Sequence, residues 1–219
     1  MVIDHVGLFF FPTYTILRII GRGAFPLFAW LIANGAHHTR DIQNYTFRLF
    51  LLSIISQIPF SLVNVRNGAP LWFFNVLFVF VFALLAIMVI RTNASSIYKF
   101  SAVAGAALGA FFLNADYGIA GVLTVVMCYV YFKQPLRLGI ALSIVLGVLP
   151  TLFDHLPILS ALSDSGVYLN NTWEAAGLLV LPFIYFYTGK RGPAFQHAFY
   201  AFYPLQYVCL YIAQIVLQM

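Results

Sequence analysis

The sequence predicts an all-α, polytopic transmembrane helix bundle of about nine spans, and three features indicate this class. Of the 219 residues, 63% are hydrophobic and only 8% are charged, whereas ordinary soluble domains have about 25% charged residues. The mean hydropathy of the chain is +0.94. Apolar runs long enough to cross about 30 Å of hydrocarbon recur from one end to the other. We therefore expect a single integral membrane domain over residues 1–219.

Prolines mark the first two apolar segments. Segment one extends only from Met1 to Phe11, before Pro12, and at about 1.5 Å per residue it is about half a membrane thick. The first helix is therefore expected to be shortened at its start. Segment two covers Ile16–Gly35 and contains Pro26. Seven further spans are predicted at Tyr45–Val63, Leu71–Ile90, Tyr98–Leu113, Tyr117–Phe132, Leu138–Phe153, Trp173–Thr188 and Ala198–Leu217.

Local composition predicts how some of these spans pack and connect. Leu71–Ile90 is almost purely apolar, and it is the clearest span. Tyr98–Leu113 is rich in Gly and Ala, which allows close approach of neighbouring helices. The stretch Asn114–Gly118 is expected to form a tight turn, because Asn and Asp side chains bond to nearby backbone. Gln57 and Asn75 are expected to form hydrogen bonds between helices.

The distribution of basic residues predicts the orientation in the membrane. The net charge of +5 comes without a basic recognition motif, so we expect no nucleic-acid partner. Cytoplasmic loops carry excess Lys and Arg, which predicts the N-terminus inside and the C-terminus outside. The connection Asp154–Asn171 is then external, and the aromatic stretch Phe195–Tyr211 is expected to be an interfacial belt and packing surface. The loops on the predicted cytoplasmic side contain eight basic residues, namely Arg40, Arg48, Arg91, Lys99, Lys133, Arg137, Lys190 and Arg191.

Asp4 and His5 lie together within the first apolar segment. An Asp or Arg at membrane depth costs roughly 2.5–3.5 kcal/mol, and such groups commonly mark functional sites. An imidazole transfers protons near neutral pH, and a carboxylate can fix its tautomer. Adjacent helix residues do not face each other, so Asp4 can instead orient a different group. The alternative is a hydrogen bond that only packs two helices.

Arg18 and Arg22 are four residues apart, so on a helix they form one doubly positive face. Two such charges repel unless an anion lies between them. Asp4 is one candidate anion, and a phosphate is another, because the guanidinium group is shaped to bind it. The alternative is that the side chains extend to the outer interface, which suits Arg18 better than Arg22.

Two compact basic loops are predicted on the cytoplasmic side. One contains His37, His38 and Arg40, and the other contains Lys190 and Arg191 between two glycines. Each loop can bind phosphate groups, or it can serve only to set the membrane orientation. The adjacent histidines have poor spacing for zinc, and we expect no metal site.

Short motifs run along the whole chain at Ile3–Gly7, Arg18–Ala29, Leu31–Gly35, His38–Arg40, Arg48–Leu49, Ser56–Phe60, Ala115–Gly118, Gly189–Gly192 and Phe202–Pro204. With these motifs the chain resembles the TraX family, whose namesake is the F-pilin N-acetylase. That family is distantly similar to the acyltransferase-3 membrane acyltransferases, which use an intramembrane His and paired Arg with cytoplasmic acetyl-CoA.

The resemblance implies roles for the polar residues. His5 becomes the expected catalytic base with Asp4 as its partner, and Arg18 and Arg22 are expected to hold the donor or the developing charge. The donor phosphates are then expected to meet Arg40, His38, Lys190 and Arg191. The chain departs from the family twice. Its segment before the Asp–His pair is shorter, and Gln206 stands where the family tends to have His, which bears on activity.

The expected function is transfer of acetyl from cytoplasmic acetyl-CoA to an acceptor at the membrane or periplasmic face of a bacterial inner membrane. The acceptor is a pilin-like N-terminal amine or a glycan hydroxyl, and membrane lipid surrounds the protein. The alternative is a non-catalytic transporter or an assembly component of a secretion or conjugation system. A transporter of the common kind predicts inverted repeats with broken helices, which the sequence does not show. Neither the acceptor nor the oligomeric state follows from the sequence.

Overall fold

A computed structural model of the chain describes residues 1–149, 174–187 and 196–217. The predicted all-α class is confirmed for these residues, in which an isolated bridge between Phe74 and Ala115 is the sole strand-like pairing. The helices are α1 (Val2–Phe9), α2 (Thr15–Arg22), α3 (Ala24–His38), α4 (Ile42–Arg66), α5 (Val76–Ile90), α6 (Ser96–Phe112), α7 (Gly118–Val130), α8 (Pro135–Ser143), α9 (Leu181–Tyr185) and α10 (Gln196–Val216). A π-helical turn, Ile144–Val148, follows α8, and a 3-10 segment, Glu174–Val180, precedes α9.

Two helical stretches in the described ranges have the length and composition to cross a membrane, namely Thr15–His38 and Ile42–Arg66. The apolar helices from α5 onward to α9 are shorter than a full span. The nine-span topology and the orientation of the termini therefore stay predictions. The external connection at Asp154–Asn171 lies outside the described residues.

The centre of the bundle is α5. Its apolar residues surround the helix instead of forming one stripe, which is typical of a helix buried on all sides. Val79, Leu84 and Ile87 are completely buried, and α5 packs against α3, α4, α6 and α7. The helix begins at Val76, five residues after the predicted start of this span, because the Asn75 side chain caps it by accepting a hydrogen bond from the Leu77 backbone N–H.

The predicted second span is divided into α2 and α3 at Gly23. Pro26 explains the division, since proline has no N–H to donate to the carbonyl four residues earlier, which belongs to Arg22. The stretch still continues in one general course, because Gly23 itself keeps near-helical torsion angles. The division places Arg22 at the end of α2.

A polar network joins α4 to the connection before α5. The Gln57 side-chain amide donates to the Phe73 carbonyl at 2.8 Å, and the Asn75 amide donates to Gln57 Oε1 at 2.7 Å. This confirms the predicted hydrogen bonds between helices. The neighbouring Phe74 backbone bonds in turn to Asn114 and Asp116, which fixes the α6–α7 turn against the same connection.

Candidate functional site

A polar cavity of about 90 Å³ lies where α1, α2, α4 and α10 meet the α6–α7 turn. Its volume is enough for a few water molecules. We call it the central cavity, and its polar lining residues are Asp4, His5, Arg18, Arg22, Asn64, Asp116, Tyr117, Tyr203 and Tyr207. The structure thus brings together all four residues that were expected to be catalytic.

Two glycines let α1 and α2 cross closely enough to form this cavity. A Cβ atom added to Gly21 would lie 2.3 Å from Asp4 Cβ and 2.6 Å from Asp4 Cα. A Cβ atom added to Gly7 would lie 2.8 Å from Leu17 Cβ. Any side chain at these positions would push the helices apart, so the glycines determine how near Asp4 comes to the arginines of α2.

Asp4 lies between the two arginines. Its Oδ1 atom is 3.6 Å from Arg18 Nε and 4.0 Å from Arg22 Nε. The prediction that an anion separates these like charges is therefore confirmed, and the anion is Asp4. The Arg18 side chain is only 15% exposed, so the alternative that it extends to the outer interface is wrong.

Arg22 is also held by the α6–α7 turn. Its Nη1 atom donates a hydrogen bond to Tyr117 Oη at 2.9 Å, and the Tyr117 ring stacks on Phe25 with centroids 3.7 Å apart. Tyr117 has a φ of 66° and Asn114 a φ of 57°. Left-handed backbone at residues other than glycine stores strain and concentrates at functional sites. The predicted tight turn is confirmed, and it brings a phenol to a buried guanidinium.

Asp116 supplies a second carboxyl group to the central cavity. Its position in the α6–α7 turn removes it from water, which raises the pKa of the Asp116 carboxyl to about 6, while Arg22 and Arg18 act in the opposite direction. The charge inside the cavity therefore changes between about pH 5 and pH 7 as this carboxyl loses its proton. The sequence analysis identified Asp116 only as a turn residue.

The hydrogen-bond partner of His5 is Tyr207 and not Asp4, which agrees with the alternative that Asp4 orients a different group. Tyr207 Oη and His5 Nε2 are 2.9 Å apart, whereas Asp4 faces the arginines. When Nε2 carries the proton and donates it to Tyr207, the basic atom of the imidazole is Nδ1. Within the described part of the chain, buried Nδ1 has no hydrogen-bond partner.

Two tyrosines of the expected aromatic belt instead line the central cavity. Tyr203 and Tyr207 are 5% and 1% exposed, so at these two positions the stretch Phe195–Tyr211 packs inside the bundle, as the packing part of the prediction expects, and does not lie at the interface. Their spacing of four residues, which places both on one face of α10, was a signal in the sequence. Gln206 is not among the lining residues, but its amide donates to Met1 Sδ at 2.7 Å, and Met1 lines the cavity.

A larger cavity of about 850 Å³ lies at the other end of α3, against the α7–α8 connection and α9. We call it the α3 cleft, and its lining includes Trp30, Asn34, His38, Phe132, Lys133 and Tyr187. Of the residues expected to meet donor phosphates, the cleft contains His38. Arg40 is exposed and outside the cleft lining, and Lys190 and Arg191 lie outside the described residues.

No metal-ligating group of three or more His, Cys, Asp or Glu side chains occurs in the ranges that the structure describes. Within the central cavity, His5 and the two carboxylates are accompanied by two arginines. A cavity with this set of groups can remove a proton and stabilise an anion.

Comparison with known proteins supplies relatives over nearly the whole chain. The sequence profile of the TraX protein family matches residues 1–214. The chain is 31% identical to the probable fimbrial assembly protein FimC, serogroup H1, of Dichelobacter nodosus, over all of this chain and 92% of that protein. It is 30% identical to Protein TraX of Escherichia coli, over 95% of this chain and 79% of that protein. No solved structure is significantly similar to it.

Proposed function

We propose a function from one premise, which is that the chain belongs to the TraX family. It is a membrane-embedded acetyltransferase of pilus or fimbria assembly in a bacterial inner membrane. It moves an acetyl group from cytoplasmic acetyl-CoA to a pilin-like N-terminal amine. The link to assembly rests on the name of the Dichelobacter nodosus relative, and the acetyl transfer rests on the groups in the central cavity.

The observation that carries this proposal is the placement of an imidazole beside a paired set of arginines in one small cavity. His5 Nδ1 has no hydrogen-bond partner in the described ranges, so with the proton on Nε2 its lone pair is not engaged by another group of the protein. Arg18 and Arg22 reach the same cavity, and Asp4 and Tyr117 hold their side chains in place. Acyl transfer to an amine or hydroxyl needs these two elements, a base and a site for a developing oxyanion.

The chemical step follows from these positions. An acceptor that arrives as an ammonium ion first loses one proton to solvent. The neutral amine nitrogen then attacks the thioester carbonyl carbon, and His5 Nδ1 accepts the second proton that the nitrogen loses. The carbonyl oxygen becomes an oxyanion, and the guanidinium of Arg22 stabilises its charge. When the intermediate collapses, the carbon–sulfur bond breaks, and the CoA thiolate takes the proton from His5. The products are an acetylated acceptor and free CoA thiol.

A second carboxylate favours an amine over a glycan hydroxyl as the acceptor. Asp4 is already paired with the two arginines, but Asp116 also lines the central cavity, and its carboxylate attracts an acceptor that arrives as an ammonium ion. A glycan hydroxyl carries no charge and gains nothing from it. The same chemical step serves either acceptor.

Tyr207 is expected to act as a positioning residue for His5. Replacing Tyr207 with Phe keeps the ring but removes the hydroxyl that holds Nε2, so the imidazole loses the hydrogen bond that orients its ring. We expect kcat to fall by about one to two orders of magnitude, with the KM for acetyl-CoA unchanged, in steady-state assays of the purified protein. Tyr211→Phe, one turn along α10, is the matched control. Equal kcat values for the two variants would show that the hydroxyl does not position the base.

The proposed function is tested by the release of CoA thiol from acetyl-CoA in the presence of an amine-bearing pilin-like peptide. We expect wild-type protein to release thiol and Arg22→Gln to be slower by about two to three orders of magnitude, the range measured for removing one oxyanion donor. The control is Arg137→Gln, because Arg137 is exposed and contacts Gln134. Thermal unfolding checks that both variants are folded.

A second candidate function is a non-catalytic assembly component, which the name of the Dichelobacter nodosus relative favours. On this account the Asp4 and arginine cluster only holds α1 against α2. Wild-type protein that is folded yet neither binds nor consumes acetyl-CoA would favour this candidate over the acetyltransferase.

A further inference from the structure

We propose that the α3 cleft binds the nucleotide end of the acyl donor, meaning a planar heteroaromatic ring that carries phosphate groups. This inference rests on the proposed function, because it assigns the donor of that reaction to a second site. The cleft is separate from the central cavity, and it is larger by volume, at about 850 Å³ against about 90 Å³. The small cavity accommodates the reacting group, and a large ligand needs additional room elsewhere.

The walls of the cleft are aromatic. Trp30 and Phe132 stack with ring centroids 5.5 Å apart, and Tyr187 meets Trp30 edge-on at 4.6 Å. His38 meets the edge of Phe132 at 6.4 Å. Aromatic walls bind nucleobases by stacking, whatever the identity of the base.

The exposed polar side chains of the cleft lining include His38 and Lys133. His38 Nδ1 bonds to the Asn34 carbonyl oxygen at 2.9 Å, which leaves Nε2 for a bond to the ligand. Exposed Lys133 supplies a positive charge for phosphate.

Helix α3 connects the cleft to the central cavity. Ala24 and Phe28 line the cavity, and Leu31 and Gly35 line the cleft. Their spacing places all four on one face of the helix, and the length from Ala24 to Gly35 is about 16 Å at the helical rise. Leu31 is 40% exposed, so this stripe is open where it meets the cleft. An elongated donor with a flexible arm can lie along it, with the thioester in the cavity and the nucleotide in the cleft.

The test compares binding of CoA with binding of pantetheine, which lacks the nucleotide, by calorimetry on the full detergent-purified chain. Phe132→Leu is expected to weaken CoA binding by about tenfold or more, and Lys133→Gln by severalfold. The matched controls are Phe100→Leu and Lys99→Gln, which change the same residue types outside the cleft lining. Pantetheine binding is expected to be unchanged in every variant.

The inference is overturned if both cleft variants bind CoA as tightly as wild type, or if wild type binds pantetheine as tightly as CoA. Because Lys133 is exposed, its replacement keeps the test valid even if Phe132→Leu fails to fold. Measuring CoA binding and acetyl transfer together also shows which of the two proposals fails. CoA binding that depends on the cleft, without acetyl transfer, supports the cleft and contradicts the acetyltransferase. Acetyl transfer with a KM that Phe132→Leu leaves unchanged supports the enzyme and contradicts the cleft.

Discussion

His5→Ala is expected to lower the rate of acetyl transfer by about two to four orders of magnitude, the range for a general base. The imidazole of His5 lines the central cavity, and its Nε2 atom is already occupied by Tyr207. CoA binding is expected to stay within twofold of wild type, because the nucleotide end of CoA is bound in the α3 cleft.

The control for this variant is His37→Ala. His37 lies outside the lining of the central cavity and stacks on Tyr129 with centroids 4.1 Å apart. We expect His37→Ala to transfer acetyl at close to the wild-type rate. The measurement is the initial rate of thiol release at saturating donor, with each variant first shown to be folded. Equal initial rates for His5→Ala and His37→Ala would mean that His5 is not the base.

Gly21→Ala is expected to have the largest effect on stability among small substitutions in α1 and α2. The added Cβ would lie 2.3 Å from Asp4 Cβ and 2.6 Å from Asp4 Cα, and a backbone atom cannot move away alone. Overpacking of this kind costs about 1–3 kcal/mol. Since α1 also carries His5, displacement of α1 is expected to lower the rate of acetyl transfer as well as the stability.

Gly105→Ala is the matched control for this substitution. Gly105 also lies within a helix, but an added Cβ there meets nothing within 4 Å. Alanine stabilises a helix more than glycine does, so the melting temperature of Gly105→Ala is expected to equal or exceed that of wild type. Thermal unfolding in detergent provides the comparison. Equal melting temperatures for the two variants would contradict the close crossing of α1 and α2.

Helix geometry within one segment accounts for the part of the site that the sequence predicted. Arg18 and Arg22 share a face because they are four residues apart, and an anion between them follows from electrostatics alone. Asp4 was nearby in sequence and was named as the candidate. The all-α class followed from composition, since so few charged residues leave little surface suited to water.

The remaining part of the site depends on contacts between distant segments. Tyr207 is 202 residues from His5, and Tyr117 is 95 residues from Arg22. Spacing along a helix gives the direction of a side chain but not the helix that it meets. For the same reason the sequence did not reveal that Gly21 allows the approach of Asp4. The spacing of Tyr203 and Tyr207 on one helix face was the available signal, but a belt of aromatic residues at a membrane interface has a similar composition.

The structure shows the surroundings of Gln206, which stands where the TraX family tends to have His. Gln206 contacts Met1 and is absent from the described lining of the central cavity, whereas Tyr207, the next residue, bonds to His5. The mechanism proposed here uses Tyr207 and does not need a histidine at position 206.

His5 in the central cavity is the proposed base for transfer of acetyl from acetyl-CoA to an amine. A labelling experiment tests this with acetyl-CoA labelled in the acetyl group, the purified protein and a pilin-like peptide with a free N-terminus, and the peptide is analysed by mass spectrometry. Label is expected on the N-terminal amine with wild-type protein and is expected to be nearly absent with His5→Ala. Label on the peptide at the same rate with both proteins, or no label with folded wild type that binds acetyl-CoA, would show that His5 does not catalyse this transfer.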